Sequence, residues 1–105
     1  MVLDVHSEKL RGVVEEDGKS ALVLFYGNWC GDCKAFKPTW DRWNKGKIGP
    51  IYAVEVLRGG KEWKEWGIDE IPTVAIYSDG IEKGRVCGII SEPDLNRLWN
   101  KIRRA

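Results

Sequence analysis

The chain has 105 residues and a formal net charge of +1, and 43% of its residues are hydrophobic. This length predicts one domain over residues 1–105, which is large enough to bury its own core. The near-neutral and evenly spread charge disfavours binding to nucleic acid or to an anionic membrane surface. No apolar run approaches the roughly 18 residues that a membrane span requires.

The N-terminal residues show no basic segment followed by an apolar one, so we predict no secretory leader and a cytoplasmic location. The cysteine count is three, and this odd number disfavours a secreted scaffold held together by disulfides. Two of them, Cys30 and Cys33, have the spacing C-x-x-C. In a cytosolic chain, this spacing leaves redox chemistry or metal binding as the alternatives.

In the first half of the chain, helices and strands are expected to alternate. Residues 2–5 are a candidate short strand, and a first helix is expected to be capped by Ser7 and closed by Gly18. The unbroken apolar run Ala21–Tyr26 is typical of a strand that is buried on both faces. A helix is then predicted over about residues 30–44.

The second half predicts a further central strand, a short helix, a hairpin and a last helix. The Asp79-Gly80 dipeptide favours a tight hairpin. Ser91, followed three residues later by an acid, is typical of the start of a helix. The elements expected before this helix cover residues 51–57, 61–66, 73–77 and about 82–87.

The order of these elements predicts the fold class. Strands that are separated by helices imply right-handed parallel crossovers, and the hairpin adds an antiparallel strand. We therefore expect an α/β fold with a central mixed sheet of roughly four to five strands and helices on both faces.

The C-x-x-C pair lies at the start of a predicted helix, and this position suits dithiol chemistry. Free backbone N–H groups and the helix dipole favour a thiolate at Cys30, and the thiolate is the attacking species. Cys33 lies one turn inward, where it is more shielded and suited to resolve a mixed disulfide formed at Cys30. Gly31 is expected to keep the turn narrow, and Trp29 to offer a flat apolar surface to a substrate.

The alternative interpretation of the pair is half of a zinc site. Zinc usually has about four Cys or His ligands. Outside the pair, the chain offers only Cys87 and His6, and these two do not form a second ligand pair. We therefore favour redox chemistry and expect neither a metal nor a cofactor.

Two segments carry a resemblance to a known family. The segment Phe25–Lys34, FYGNWCGDCK, resembles the active-site segment of thioredoxins. The segment Gly67–Thr73, GIDEIPT, resembles the one that holds the cis-proline of that family. Asp79-Gly80 and Gly88 fall where thioredoxins have a hairpin and a glycine of the substrate groove. The resemblance spans most of the chain and implies a thioredoxin-like fold.

The resemblance also implies roles for individual residues. Cys30 corresponds to the exposed nucleophile, Cys33 to the resolving thiol, and Pro72 to a cis-proline that follows Ile71. The segment before this proline is expected to pair with an extended substrate backbone, as in strand addition. The implied activity is that of a protein-disulfide reductase in electron transport and cell redox homeostasis. It would act as a monomer, with a reductase or another thiol as electron donor and a disulfide-containing protein as substrate.

Some positions depart from the thioredoxin pattern. Leu24 stands where thioredoxins usually carry a buried Asp that is associated with proton transfer at the resolving thiol. Glu55 is the nearest match to the lysine that partners that Asp, and it is either a solvated strand residue or a helper of proton transfer. Asp32 stands where thioredoxins have Pro. Either its negative charge disfavours the neighbouring thiolate, or its side chain caps the helix by bonding local backbone N–H groups.

Two residues outside the motif have expectations of their own. Cys87 ends the last predicted strand and is expected to be an inert buried thiol, with a reactive thiol at the edge of the substrate groove as the alternative. His6 is expected at the surface or at a strand end. Two other functions stay open: a glutaredoxin-like reductase that uses glutathione, and a binding module gated by its redox state.

Overall fold

The computed structural model of the chain describes residues 2–4, 6–15, 20–47 and 49–103. Strands and helices alternate along this part of the chain before a terminal hairpin and helix. Their order is β1 (Val2–Asp4), α1 (Ser7–Val14), β2 (Ser20–Tyr26), α2 (Gly31–Asn44), β3 (Ile51–Glu55), α3 (Glu62–Glu65), β4 (Thr73–Ser78), β5 (Ile81–Cys87) and α4 (Glu92–Arg103).

The strands form one mixed sheet in the order β1-β3-β2-β4-β5. Strand β3 runs parallel to β1 and β2, while β4 is antiparallel to β2, and β5 is antiparallel to β4. Asp79 and Gly80 both have positive φ, 53° and 79°, as a tight hairpin requires. The predicted α/β fold, with its mixed sheet and its hairpin, is confirmed.

The last helix begins as the sequence predicts. Ser91 Oγ accepts a hydrogen bond from Asp94 N at 3.3 Å, and Asp94 Oδ2 accepts one from Ser91 N at 3.0 Å. These reciprocal bonds satisfy backbone donors that a helix N-terminus leaves free. The buried side of α4 then carries Leu95, Leu98 and Trp99.

The start of the first helix differs from the prediction. Leu10 N donates to His6 O at 3.1 Å, so the first helical turn already closes on His6. Because of this bond, Ser7 is the first residue of α1, and the N-cap position belongs to His6, whose exposed side chain makes no capping bond. The capping role of Ser7 was wrong, and the surface location of His6 is confirmed. The predicted closing residue, Gly18, lies outside the described residues.

The sheet separates two hydrophobic clusters because successive side chains of a strand point to opposite faces. Along β2, Val23 and Phe25 belong to one cluster and Leu22 and Leu24 to the other. The first cluster packs against α1 and the segment around α3, and the second against α2 and α4. The cysteine pair belongs to the first cluster, so the site is built on the edge of a packed core.

No helix within residues 6–15, 20–47 and 49–103 combines the length and the apolar character that crossing a bilayer demands.

Candidate functional site

A tight turn carries the chain from β2 into α2 and sets the place of the cysteine pair. Cys30 N donates to Gly27 O at 3.1 Å and closes the turn. A Cβ atom on Gly27 would lie 2.9 Å from Ile71 Cδ1 and 2.9 Å from atoms of the Trp29 ring. Close packing therefore favours glycine at residue 27, which was not among the predicted site residues. Gly31 meets no such limit, because an added Cβ there would find nothing within 4 Å.

Cys30 occupies the N-cap of α2. Its backbone is extended, with φ −93° and ψ 118°, and its Sγ accepts a hydrogen bond from Cys33 N at 3.1 Å. A sulfur in this position replaces the oxygen that usually caps a helix and faces the positive end of the helix dipole. Because Cys30 takes this place, Asp32 is not the cap, and it lies exposed in the first turn of α2.

Both residues of the pair carry free thiols, and the two residues are covered to the same extent. Cys30 and Cys33 each expose 8% of their surface. The expectation of an exposed Cys30 and a more shielded Cys33 was therefore wrong. The cover over Cys30 includes the segment before Pro72, since the Cys30 thiol donates to Ile71 O across 3.6 Å.

The two sulfurs differ in chemistry. Burial raises the pKa of the Cys33 thiol from its usual 9.0 to about 12, and a hydrogen bond to Cys30 adds to the rise. The negative charge of Asp32 acts in the same direction, with a smaller effect. Cys33 therefore keeps its proton at neutral pH and must lose it before it can attack a disulfide.

The proline segment forms the wall opposite the turn. The Ile71–Pro72 peptide bond is cis, as the resemblance implies, and both residues are buried. Pro72 O accepts a hydrogen bond from Gly88 N at 3.1 Å, which ties the end of β5 to this wall. Gly88 has φ +79°, which favours glycine, and a Cβ there would lie 2.9 Å from Oε1 at the end of the exposed Glu70 side chain.

Cys87 lies beside this wall and is exposed, so the prediction of a buried thiol was wrong. The reason is topological: β5 is an edge strand, and its last residue, paired with Thr73, is not covered by a further strand. Partial burial and a hydrogen bond with Glu70 raise the pKa of the Cys87 thiol. This shift favours the protonated and less reactive form.

The other side of the turn carries two indole rings. Trp29 is 36% exposed, and its Nε1 donates to Val56 O at 3.1 Å. Trp63 Nε1 donates to Leu57 O at 2.8 Å, and the two ring centroids lie 6.2 Å apart. The Arg58 guanidinium lies 4.6 Å from the Trp29 ring centroid.

Arg58 was not among the predicted site residues, although the sequence carried one signal for its position. The strands β2 and β3 are parallel, so their carboxyl ends lie at the same edge of the sheet. Residues that follow β3 must therefore lie close to those that follow β2, and the latter include Trp29 and Cys30.

An open groove of about 460 Å³ runs beneath α2 and reaches Cys33. Leu24 lines it in place of the family's buried Asp, so this wall of the groove carries no carboxylate. Glu55 is exposed and accepts a hydrogen bond from Asn28 Nδ2 at 2.7 Å, and Asn28 lines the groove. The remaining lining residues are Tyr26, Gly27, Lys34, Phe36, Lys37, Trp40, Asp41, Asn44 and Ala53.

Among the residues whose positions are described, no group of three or more His, Cys, Asp or Glu side chains could hold a metal ion. The expected absence of a metal and of a cofactor remains a prediction.

A dithiol at a helix start that faces a cis-proline, on this mixed sheet, defines a thioredoxin-like protein. The family model described as thioredoxin matches residues 1–101, and the chain belongs to the thioredoxin family. At the level of that family it is a thiol–disulfide oxidoreductase.

Individual relatives agree with this assignment. A thioredoxin of Mycoplasmoides gallisepticum is 32% identical over 81 residues, which cover 76% of this chain and 81% of that protein. A thioredoxin domain-containing protein of Acanthamoeba polyphaga mimivirus is 33% identical over 89 residues, but the match spans 76% of this chain and only 26% of the viral protein. Rickettsia conorii thioredoxin is 28% identical over 104 residues, covering 96% of this chain and 98% of the relative.

Solved structures share the fold. The reduced thioredoxin of Schistosoma mansoni superposes with a TM-score of 0.77 at 22% identity, over 96% of this chain and 97% of that one. A mutant thioredoxin from Halobacterium salinarum gives a TM-score of 0.75 at 22% identity, over 96% of this chain and 89% of that one.

Proposed function

We propose that this chain reduces protein disulfides by dithiol exchange, with Cys30 as the attacking thiol and Cys33 as the resolving thiol. The observation that supports this proposal most directly is the position of Cys30 Sγ. It caps α2, lies 3.1 Å from Cys33 N and faces Ile71 O at 3.6 Å. One sulfur is thus within reach of its partner thiol and of the segment that would hold a substrate.

The first step is attack by the Cys30 thiolate on one sulfur of a substrate disulfide. The substrate S–S bond breaks, a mixed disulfide forms at Cys30, and the released substrate thiolate takes up a proton. Cys33 then loses its proton and attacks Cys30 Sγ. This step breaks the mixed disulfide, releases the second substrate thiol and leaves a Cys30–Cys33 disulfide. Two electrons pass to the substrate, and a reductase or another thiol must return them.

The substrate segment would lie between the two walls of the site. Trp29 offers an apolar ring on one side, and the backbone of Ile71 and Pro72 offers hydrogen-bonding groups on the other. Gly88 leaves space at the end of this wall, while Gly31 and Asp32 line the helix start. This arrangement suits an extended, disulfide-bearing segment of a partner protein, which is the substrate class on which the family acts. The chain would perform this reaction as a single cytoplasmic domain and a monomer.

Glu55 is our candidate for the group that receives the Cys33 proton. The raised pKa of Cys33 makes a base useful, and Leu24 removes the carboxylate that the family usually supplies at that position. Glu55 is exposed, and its hydrogen bond to Asn28 places it beside a residue of the groove that reaches Cys33. A solvated carboxylate there can exchange the proton with water.

Trapping the mixed disulfide tests the mechanism. The test uses two variants, Cys33→Ser and Cys30→Ser. Both are made in a Cys87→Ser background, because Cys87 is exposed and could react independently. The reduced Cys33→Ser variant is expected to accumulate a mixed disulfide with insulin at residue 30, detected by mass spectrometry of the peptides. The Cys30→Ser variant is expected to form no adduct and to show only background insulin reduction with dithiothreitol as donor.

Insulin turnover that persists in the Cys30→Ser variant would overturn these roles. If the folded Cys87→Ser protein shows no turnover and its Cys33→Ser derivative traps no insulin, a redox-gated binding module is favoured instead. Turnover that depends on glutathione would favour the glutaredoxin-like alternative.

A further inference from the structure

The surface beside Cys30 on the Trp29 side carries two anchored indole rings and is only partly covered. We call it the aromatic platform, and it consists of Trp29, Leu57, Arg58 and Trp63. Both indole N–H groups donate to backbone carbonyls, at 3.1 Å and 2.8 Å, which fixes the orientation of the rings. Trp29 is 36% exposed and Leu57 is 57% exposed. The two anchored rings can contact a partner with little further loss of side-chain freedom.

Arg58 differs from the other arginines whose side chains are described, because it has no carboxylate within ion-pair distance among the described residues. The others, which each pair with a carboxylate, are Arg11, Arg42, Arg85 and Arg97. The guanidinium of Arg58 instead stacks on Trp29, 4.6 Å from the ring centroid. Stacking leaves the N–H donors at the edge of the guanidinium available for a bidentate contact with a carboxylate.

The opposite wall carries the opposite charge. Asp69 and Glu70 are exposed and directly precede Ile71, whose carbonyl faces Cys30. Arg58 lies over the ring of Trp29, which directly precedes Cys30 in the chain. In the first turn of α2, the exposed Asp32 and Lys34 contribute one charge of each sign. Arg58 therefore places a positive charge directly over Trp29, with the carboxylate of Glu55 on the same side through its bond to Asn28, while Asp69 and Glu70 make the proline side negative.

We infer that the aromatic platform selects substrate disulfides that carry a carboxylate next to the attacked cysteine. This inference rests on the proposed function and names its substrate class. The carboxylate binds the guanidinium of Arg58, while the methylene groups of the acidic side chain pack on Trp29. A lysine at the same substrate position is repelled by Arg58.

A pair of peptides that differ in one residue tests this inference. Each contains the same disulfide, with either Glu or Lys next to the cysteine under attack, and kcat/KM is measured with dithiothreitol as the electron donor. The wild type is expected to prefer the Glu peptide by about threefold to fivefold, as for one exposed charge pair. The preference is expected to shrink as salt is added.

Variants of Arg58 then assign the preference to one side chain. Arg58→Gln is expected to reduce both peptides at similar rates, and Arg58→Glu to prefer the Lys peptide. The matched control is Arg42→Gln, which removes an arginine that lies roughly 17 Å along α2 from the helix start. This control is expected to keep the wild-type preference.

The outcomes separate this inference from the function on which it rests. Equal rates for the two peptides in the wild type, or a preference that survives in Arg58→Gln, would overturn the role of Arg58 and leave the reductase activity standing. A wild type that reduces neither peptide would overturn both.

Discussion

The mouth of the site and the groove behind it give the two cysteines opposite surroundings. At the mouth, Cys30 Sγ contacts a backbone N–H and a backbone carbonyl. The neighbouring residue is Trp29, and the Arg58 guanidinium is stacked on its ring. In the groove, Cys33 shares a mixed lining, with apolar side chains such as Leu24 and Phe36 beside polar ones such as Asn28. Because both residues are covered to the same 8%, the order of reaction that we propose rests on these surroundings and not on exposure.

The largest expected effect concerns the Cys33 proton. With a pKa of about 12, Cys33 is ionised to about one part in ten thousand at pH 8. Iodoacetamide should therefore label it about 10³-fold more slowly than a thiol with the usual pKa. The Cys33 rate should rise about tenfold per pH unit up to the pKa. The measurement is peptide mapping of the reduced Cys30→Ser variant, which keeps burial as the largest cause of the raised pKa and loses the smaller contribution of Cys30, with guanidinium-unfolded protein as the control. Equal labelling of folded and unfolded protein would contradict this difference.

The next largest effect is expected from a substitution in the groove itself. Leu24→Asp places a carboxyl in an apolar wall, and we expect the unfolding free energy at pH 7 to fall by about 3 kcal/mol. Burial raises the pKa of that carboxyl above its unfolded value, so the native state holds the proton more tightly. The charge-dependent part of this loss should therefore appear as pH rises above about 4 and vanish below it, while the part due to lost apolar packing remains at every pH.

Leu24→Asn is the matched control for this variant, because it has a similar shape and no titrating group. Urea unfolding of both variants at several pH values isolates the part due to charge. A pH-independent difference between them would show that the wall near residue 24 is more hydrated than the structure implies.

The smallest effect links the two regions through Glu55. We expect Glu55→Gln to slow closure of the Cys30–Cys33 disulfide by about tenfold near neutral pH and to leave the first attack unchanged. Stopped-flow release of thionitrobenzoate from a mixed disulfide at Cys30 measures this closure. Asp41→Asn, which alters a carboxylate farther along the same groove, should have no effect. If Asp41→Asn slowed disulfide closure and Glu55→Gln did not, Asp41 and not Glu55 would be the group that receives the proton.

The parts of the fold that sequence predicted are those with local causes. The apolar run of β2 and the Ser91–Asp94 bonds at the start of α4 depend on neighbouring residues, and both are confirmed. The predicted end of β3, residue 57, was wrong by two residues. The strand stops at Glu55 because its partner β2 ends there, at the Tyr26–Glu55 pair. A partner strand that is distant in sequence sets this boundary.

The features of the site divide in the same way, into those with local causes and those set by residues that are distant in sequence. The C-x-x-C motif at a helix start and the segment around Pro72 were visible in the sequence. The exposure of Cys87 depends on its edge strand, and the position of Arg58 depends on the parallel pairing of β2 with β3. Neither fact can be obtained from residues close in sequence. The close packing at Gly27 was missed for the same reason, since one of its neighbours is Ile71.

Gly27 therefore acts as a spacer between the two walls of the cleft. Its missing side chain lets the indole of Trp29 and the side chain of Ile71 approach the same point. A methyl group added there would displace a neighbour on each wall, so the width of the cleft is set by an atom that the chain lacks. Any side chain larger than hydrogen at this residue therefore changes the distance between the two walls.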